Sequence, residues 1–371
     1  MLATRAFVST FDFLDRKPKF HVDDRDLDTA STPKAFVNVV NAQLDKLGVS
    51  HLELLTPAEH EQYTQGRDVG AGFVAQRETK NGVTGLRIQE VFAGGAADKA
   101  GLRTWDLVTA VDGKPLTKSA NMSGPAGTRR SVTFVRGKRV RTAELVFTDY
   151  SPYRPAMLKW VRPDVALISI GTFTTSDYHA QLIDSLFTKA AGAKAIILDL
   201  RYNRGGALAN VFDLLGHLLD NNTVVSRMID RETIARSGRE FKTTAEAYEA
   251  LKKDPASEVR LESDHTPYRG KLVVLTSHLA GSGGDRFPGT LKDLGRATLV
   301  GYTTMGKLLH GDWATLTRDY QLLYPSGEVL MPSGFRIEGV GVEPDVKLSQ
   351  RDVLNDKKVT AAALKVISKT R

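Results

Sequence analysis

The stretch Lys271–Lys307, K-L-V-V-L-T-S-H-L-A-G-S-G-G-D-R-F-P-G-T-L-K-D-L-G-R-A-T-L-V-G-Y-T-T-M-G-K, constrains the fold more than any other part of the chain. Lys271 to Thr276 is a short apolar, β-branched run of the kind that forms a buried strand, and Asp285 to Leu294 reads as a helix stopped by Gly295. Between them lie Gly281, Ser282, Gly283 and Gly284. A serine flanked by glycines at a strand-to-helix junction can sit on a tight turn, where the next backbone N–H groups and the positive helix end face an oxyanion formed beside its Oγ. Ser282 is therefore the candidate nucleophile, against the plainer alternative of a helix-capping serine in a glycine-rich loop.

Upstream, strands and helices alternate. Val165 to Ile170 reads as a strand, Ser176 as the cap of a helix through Leu186, and Lys194 to Leu200 as a second strand. Leu208, Val211, Phe212, Leu215 and Leu219 make one face of the next helix. This pattern predicts an α/β core over residues 151–371 with mainly parallel, buried strands. The loop D-L-R-Y-N-R-G-G, Asp199 to Gly206, puts a second glycine turn at the carboxyl end of the sheet, where α/β proteins place their sites. Residues 224–267, with a surface helix in T-T-A-E-A-Y-E-A-L-K-K, read as an insertion that shapes a groove, and A-A-A-L-K-V-I as a closing helix.

Residues 1–66 read as a mainly helical domain. Ser31, Thr32 and Pro33 start a helix, Phe36, Val37, Val40, Leu44 and Leu47 recur at helical spacing, and Gly48 stops it just before Ser50 and His51. Residues 67–150 form a separate strand-rich unit. The 371 residues, 41% of them hydrophobic, are enough for two or three domains, so the expected class is α/β within an α+β multidomain chain.

Several chemistries are excluded or disfavoured. The chain has no cysteine, which removes disulfides, thiolate metal sites and a cysteine nucleophile. The net charge of +8 is spread along the chain, and its densest cluster, Arg136, Lys138, Arg139 and Arg141, falls on a hairpin around Gly137, so no nucleic acid partner is expected. No run approaches the roughly 18 apolar residues of a membrane span, and M-L-A-T-R-A-F lacks the apolar centre of a signal peptide, so no integral membrane segment is expected. His60-Glu61 lacks a second histidine, since position 64 is Thr64, and no catalytic metal is expected. Gly301 to Lys307 nearly fits a phosphate-binding loop, but Leu308 stands where the magnesium-binding hydroxyl belongs.

Four segments, S-G-G-D-R-F with L-G-R-A-T-L-V-G-Y-T-T, D-L-R-Y-N-R-G-G, L-D-K-L-G-V-S-H and E-G-V-G-V-E-P-D, resemble the serine peptidases that include the C-terminal processing peptidases and the core of tricorn protease. The resemblance implies Ser282 as nucleophile, His51 as base and Glu338, acting through Ser50, as the group that orients it. Gly205 and Gly283 would supply the oxyanion hole, with no cofactor. G-A-G-F-V at Gly70 to Val74 and A-G-L-R-T-W-D-L-V-T-A-V-D-G are similar to a PDZ domain, which implies that Gly70, Gly72 and Phe73 receive a chain's terminal carboxylate. The same unit read as a packing or gating module is the open alternative.

The pattern is mixed in one respect. In the C-terminal processing branch the nucleophilic serine directly precedes an acidic residue and a lysine is the base; here Gly284 precedes Asp285, while Lys307 matches the lysine. Lys307 therefore stays as the alternative base, and a peptidase-fold protein that binds chain ends without cutting them stays as the alternative function. With His51 as base, the rate is expected to rise through the ordinary histidine range near pH ~6.5. The implied partner is a protein or peptide substrate with a free C-terminus, a homo-oligomer remains open, and the resemblance implies a periplasmic, cell-envelope or secreted location.

Overall fold

The computed structural model describes residues 5–9, 27–28, 30–80, 83–116, 122 and 124–369. The chain forms two compact units, one of Met1–His60 with Pro155–Arg371 and one of Glu61–Arg154.

The larger unit has two sheets. In the first, the strands run in the order Met157–Arg162, Val165–Ser169, Ala195–Asp199, Lys271–Thr276, Thr298–Gly301 and Val346–Lys347. The first pair is antiparallel and every later pair is parallel. All of Ala195–Asp199 is buried, as expected of a strand in a sheet packed on both faces. The connecting helix Ala180–Ala190 starts later than the sequence suggests: its N-cap position is His179. Ser176 instead donates from Oγ to Asp177 Oδ2 (2.6 Å), within a turn that precedes the helix.

The second sheet is antiparallel and was not anticipated. Its long strand Gln321–Leu330 pairs along one edge with Leu309–Thr315 and along the other with Glu53–Leu55 and Val224–Asp230, and the last of these pairs in turn with Glu258–Arg260. Residues 224–267 are thus partly a sheet component, and the expectation of an insertion is corrected. Their helix Thr244–Leu251 is also not purely superficial, since Ala247 and Leu251 are buried in a cluster with Ile229 and Leu330.

The expectation of an independent helical domain over residues 1–66 is corrected in the same way. The helix Pro33–Leu44 is capped as its sequence implies, with Thr32 accepting from the Ala35 N–H and Gly48 at φ 63° closing the following 3-10 turn. Its apolar stripe, however, is too small to form a core by itself. Val37, Leu44, Leu47, Leu52 and Leu54 instead share one cluster with Leu309, Ala314, Leu322 and Tyr324 of the antiparallel sheet.

The smaller unit is an antiparallel sheet in the order Phe73–Lys80, Val83–Val91, Leu107–Val111, Arg129–Arg136 and Arg139–Val146, with Lys114–Pro115 beside Leu107–Val111. Ile88, Ala97, Val108, Val132, Leu145 and Phe147 fill its core, and the short helix Ala96–Lys99 packs there through Ala96 and Ala97. Gly70 ends the strand Asp68–Gly70, Gly72 lies against Gly95 and Ala96 at φ 75°, and Phe73 opens the next strand. Arg136 pairs with the buried Asp106, whereas Lys138, Arg139 and Arg141 are exposed, a solvated hairpin tip. Among the described residues no helix is long and apolar enough to cross a membrane.

Candidate active site

The strand Lys271–Thr276 and the helix Gly283–Asp293 are joined by a turn that holds Ser282 at φ 55°, ψ −116°, a conformation few non-glycine residues adopt. The strain is held by Asp285. Its buried carboxylate accepts from the N–H groups of Ser282 (2.9 Å), Gly306 (3.0 Å) and Lys307 (3.0 Å), and the Lys307 carbonyl accepts from the Ser282 N–H as well (3.0 Å). Burial pushes the Asp285 carboxyl above the usual range, and these N–H donors oppose that shift. The spacing S-x-x-D is the sequence signal that marks such an N-terminal residue, although the sequence alone did not assign Asp285 a role.

The loop Asp199 to Gly206 docks on this turn. Arg201 is buried in a two-pronged pair with Asp199 (2.8 and 2.6 Å) and also donates to the Val353 carbonyl and Asp356. Asn203 donates to the Ile170 carbonyl (3.1 Å) and its own carbonyl accepts from the Gly281 N–H (3.1 Å). Gly284 must lack a side chain, because a Cβ there would lie 2.0 Å from that carbonyl oxygen. Gly205, at φ 96°, must lack one too: its Cβ would stand 2.7 Å from both Gly283 N and Ser282 Cβ.

The Gly205 N–H bonds Asn203 Oδ1 (2.9 Å), because the asparagine side chain folds back across its own turn. The Gly283 N–H makes no hydrogen bond among the described residues.

The candidate base lies beside the other sheet. Ser50 and His51 precede Glu53–Leu55, which is fixed by its register with Gln321–Leu330, and His51 adopts φ 54°. His51 Nε2 lies 3.2 Å from Ser282 Oγ, and Nδ1 lies 2.9 Å from Ser50 Oγ. The Ser50 hydroxyl gives its single proton to Glu338 Oε2 (2.9 Å), so it accepts from Nδ1–H and leaves the Nε2 lone pair facing Ser282. The Ser50 N–H (3.3 Å) and the Leu308 N–H (2.6 Å) complete the shell of Glu338.

Two further groups had no reading in the sequence. Arg336 makes a two-pronged pair with the fully buried Glu328 (2.9 and 3.0 Å) and donates to the Glu338 carbonyl (3.0 Å), which fixes the backbone that presents the carboxylate. Gly311 faces the imidazole, where a Cβ would lie 3.1 Å from His51 Cδ2.

Burial, then the charges of His310 and Lys307, lower the His51 pKa to about 4, so the imidazole is neutral across ordinary pH. Burial raises the Glu338 carboxyl, against the pull of the Leu308 N–H and Ser50. Lys307 is bound into the site by its backbone, but its side chain is exposed and no bond joins its ammonium to Ser282 among the described residues. Gly70, Gly72 and Phe73 belong to the smaller unit.

A nucleophile turn at the carboxyl end of a parallel sheet, facing a neutral imidazole backed by a hydroxyl and a carboxylate, defines the class of serine-nucleophile α/β proteins. Residues 164–348 match peptidase family S41, and the chain belongs to that family. It is 24% identical over 332 residues to a probable CtpA-like serine protease of Staphylococcus epidermidis, covering 86% of this chain and 62% of that protein. It is 25% identical over 330 residues to the chloroplastic carboxyl-terminal-processing peptidase 3 of Arabidopsis thaliana, covering 83% of this chain and 59% of that protein. The chain thus spans less than two thirds of the length of either relative. Two solved structures share its fold: a photosystem II D1 C-terminal processing protease (TM-score 0.59, 18% identity, 96% of this chain and 92% of that one) and mature CPAF complexed with lactacystin (TM-score 0.62, 14% identity, 99% and 95%).

Proposed function

We propose that this chain is a serine peptidase that hydrolyses peptide bonds in protein or peptide substrates, with His51 rather than Lys307 as its base. The observation that carries the reading is the continuous relay Ser282 Oγ, His51, Ser50, Glu338. Ser282 Oγ attacks the scissile carbonyl while His51 Nε2 takes its proton. The imidazolium so formed is held by Ser50 and the Glu338 carboxylate, and it then protonates the leaving amine as the C–N bond breaks. Water, activated by the same nitrogen, hydrolyses the acyl-enzyme. The oxyanion is received by the Gly283 N–H at the positive end of its helix, and by the Gly205 N–H once it leaves Asn203. A lysine base would need its ammonium desolvated, and Lys307 is exposed.

That engaged Gly205 N–H also favours a second reading, a protein that binds chain ends without cutting them. Treatment with a serine-directed fluorophosphonate, followed by peptide mapping and a peptide-hydrolysis assay, separates the two. The peptidase reading expects labelling at Ser282 and loss of hydrolysis with it; an unlabelled, folded chain that still binds peptide sinks it.

The substrate end is part of the same proposal. The smaller unit acts as a PDZ-like module in which Gly70, Gly72 and Phe73 receive a free terminal carboxylate, supported by the glycine turn that leads into the strand at Phe73. A peptide acid should bind more tightly than its amide in a calorimetric titration, and equal affinities would leave the unit with a packing or gating role. The proposed location is the periplasm, the cell envelope or the exterior, supported by the family resemblance alone.

A further inference from the structure

We propose that Asp184, His217 and His265 form a site for a divalent transition-metal ion of the zinc class, separate from the relay at Ser282. One ligand atom from each of the three lies within 4.8 Å of the others. His217 Nε2 is 3.2 Å and His265 Nδ1 is 3.9 Å from Asp184 Oδ1. His217 Nε2 and Asp184 Oδ1 are both buried and lie 3.2 Å apart without the alignment of a good hydrogen bond, a contact that pairs them only weakly. His217 is only 6% exposed, whereas the Asp184 side chain is 47% exposed, so the site opens to solvent on the carboxylate side. A cation shared between the two lone pairs removes the penalty of leaving both poorly paired.

The third ligand is set up from behind. His265 Nε2 lies 3.1 Å from Asp213 Oδ1, and Asp213 Oδ2 accepts from the Tyr178 hydroxyl (2.6 Å). With the proton on Nε2, the lone pair of His265 is on Nδ1, the nitrogen nearer Asp184. A carboxylate behind a histidine in this manner is the usual second layer of a metal site. The His217 ring stacks on Phe187 (centroids 4.4 Å apart) and on His265 (3.9 Å, planes 22° apart), so one imidazole must turn about its Cβ–Cγ bond to bring both lone pairs onto one ion. Gly216 allows that approach, since a Cβ there would stand 2.9 Å from His265 Cδ2.

Two imidazole nitrogens and one carboxylate oxygen suit zinc and its neighbours, whereas magnesium and calcium take oxygen shells. The ligands come from the helix Ala180–Ala190, from the residue capping the helix Leu208–Gly216 and from the loop around His265. The ion would therefore clamp the far end of the helix that follows the Gly205 loop. Because it binds the folded chain and not the dispersed ligands, it would raise thermal stability.

The test is titration of the chelator-treated full chain with Zn2+ by calorimetry, and with Co2+ by visible absorption. The wild type should bind one equivalent of either ion, with visible bands for Co2+ and a Tm that rises with Zn2+. Asp184→Asn and the partly exposed His265→Gln should each lose affinity by about 100-fold or more, and Asp213→Asn by about 10- to 100-fold, with circular dichroism reporting the fold. X-ray absorption of the wild-type Zn2+ complex gives a reading that needs no variant, with two imidazoles and oxygen in the first shell. Absence of stoichiometric binding, undiminished affinity in folded Asp184→Asn and His265→Gln, or a shell without imidazole overturns the proposal.

Discussion

The two sheets of the larger unit each provide half of the relay, and they hold their halves by different means. The six-stranded sheet buries its central strands on both faces, and its contribution is backbone: the Ser282 turn and the Gly205 loop, locked by Asp285, Arg201 and Asn203. The five-stranded sheet is partly exposed along Glu53–Leu55 and Leu309–Thr315, and it presents side chains: His51 ahead of Glu53–Leu55, with Gly311 leaving room for its ring, and Glu338 held through Arg336 and Glu328. The proposed nucleophile is thus built onto the buried sheet, while the proposed base reaches it from the other through His51 Nε2 and Ser282 Oγ. Loss of either reactive side chain should all but stop the reaction, and damage to the groups around them should be graded by how far it moves the Gly283 amide or the imidazole.

The largest effect tests whether the halves form one chemical unit. Ser282→Ala and His51→Ala should each lower turnover by a factor on the order of 10⁶, because removing nucleophile or base disables the same step. A folded His51→Ala that retained more than a tenth of the wild-type rate would dissolve the pairing. Glu338→Gln should cost less, on the order of 10⁴ in kcat with little change in KM, since it orients and stabilises the imidazole without taking the proton. A rise in KM with kcat intact would instead place Glu338 in substrate binding.

Next comes the pair of glycines. Gly205→Ala sets a Cβ 2.7 Å from Gly283 N, against the amide proposed to hold the oxyanion, and should cost about 10²- to 10³-fold in kcat. Gly311→Ala presses on the His51 ring from 3.1 Å, a contact that a few tenths of an ångström relieve, and should cost about 10-fold. Equal losses from the two would mean that the sheets do not differ in rigidity.

The smallest effects concern protons. With His51 as the proposed base, working as the neutral imidazole, activity is present above its pKa and is lost as pH falls through it; the acid limb of kcat/KM should lie at about pH 4. This replaces the limb near ~6.5 expected of an unperturbed histidine. Lys307→Met should keep most of the activity and move the limb to higher pH, because removing a nearby positive charge makes protonation of His51 easier. An inactive Lys307→Met beside an active His51→Ala would reverse the assignment of the base.

How much of this was legible follows from the same contrast between sheets. The parallel strands read as continuous apolar runs, and Lys271–Thr276 was bounded correctly from sequence because a strand buried on both faces has no other composition open to it. The antiparallel strands interleave partly exposed polar residues with buried ones, so Val224–Asp230, with Arg227 and Asp230 half-buried, looked like part of an insertion and Glu53–Leu55, with Glu53 exposed, like part of a helical domain. Ser282, His51, Ser50 and Glu338 were named by motif, but a motif carries no distance. Their contacts exist because Gln321–Leu330 takes Glu53–Leu55 onto its edge in one register and brings Ser50 within 2.9 Å of Glu338.

The residues that sequence did not resolve are those whose role depends on long-range packing. The amide of Gly205 is turned inward by Asn203, a choice between local hydrogen bonds that spacing does not specify. Asp184, His217 and His265 form no short motif, yet the sheet and its covering helices bring them together. The sequence by itself determined the buried strands and the glycine turns, because local sterics and apolar patterning act over a few residues, and its motifs nominated the candidate reactive groups. Only the tertiary structure decided which nitrogen faces Ser282, which amides are free and how acidic His51 is, because hydrogen-bond partners and burial are set by segments far apart in the chain.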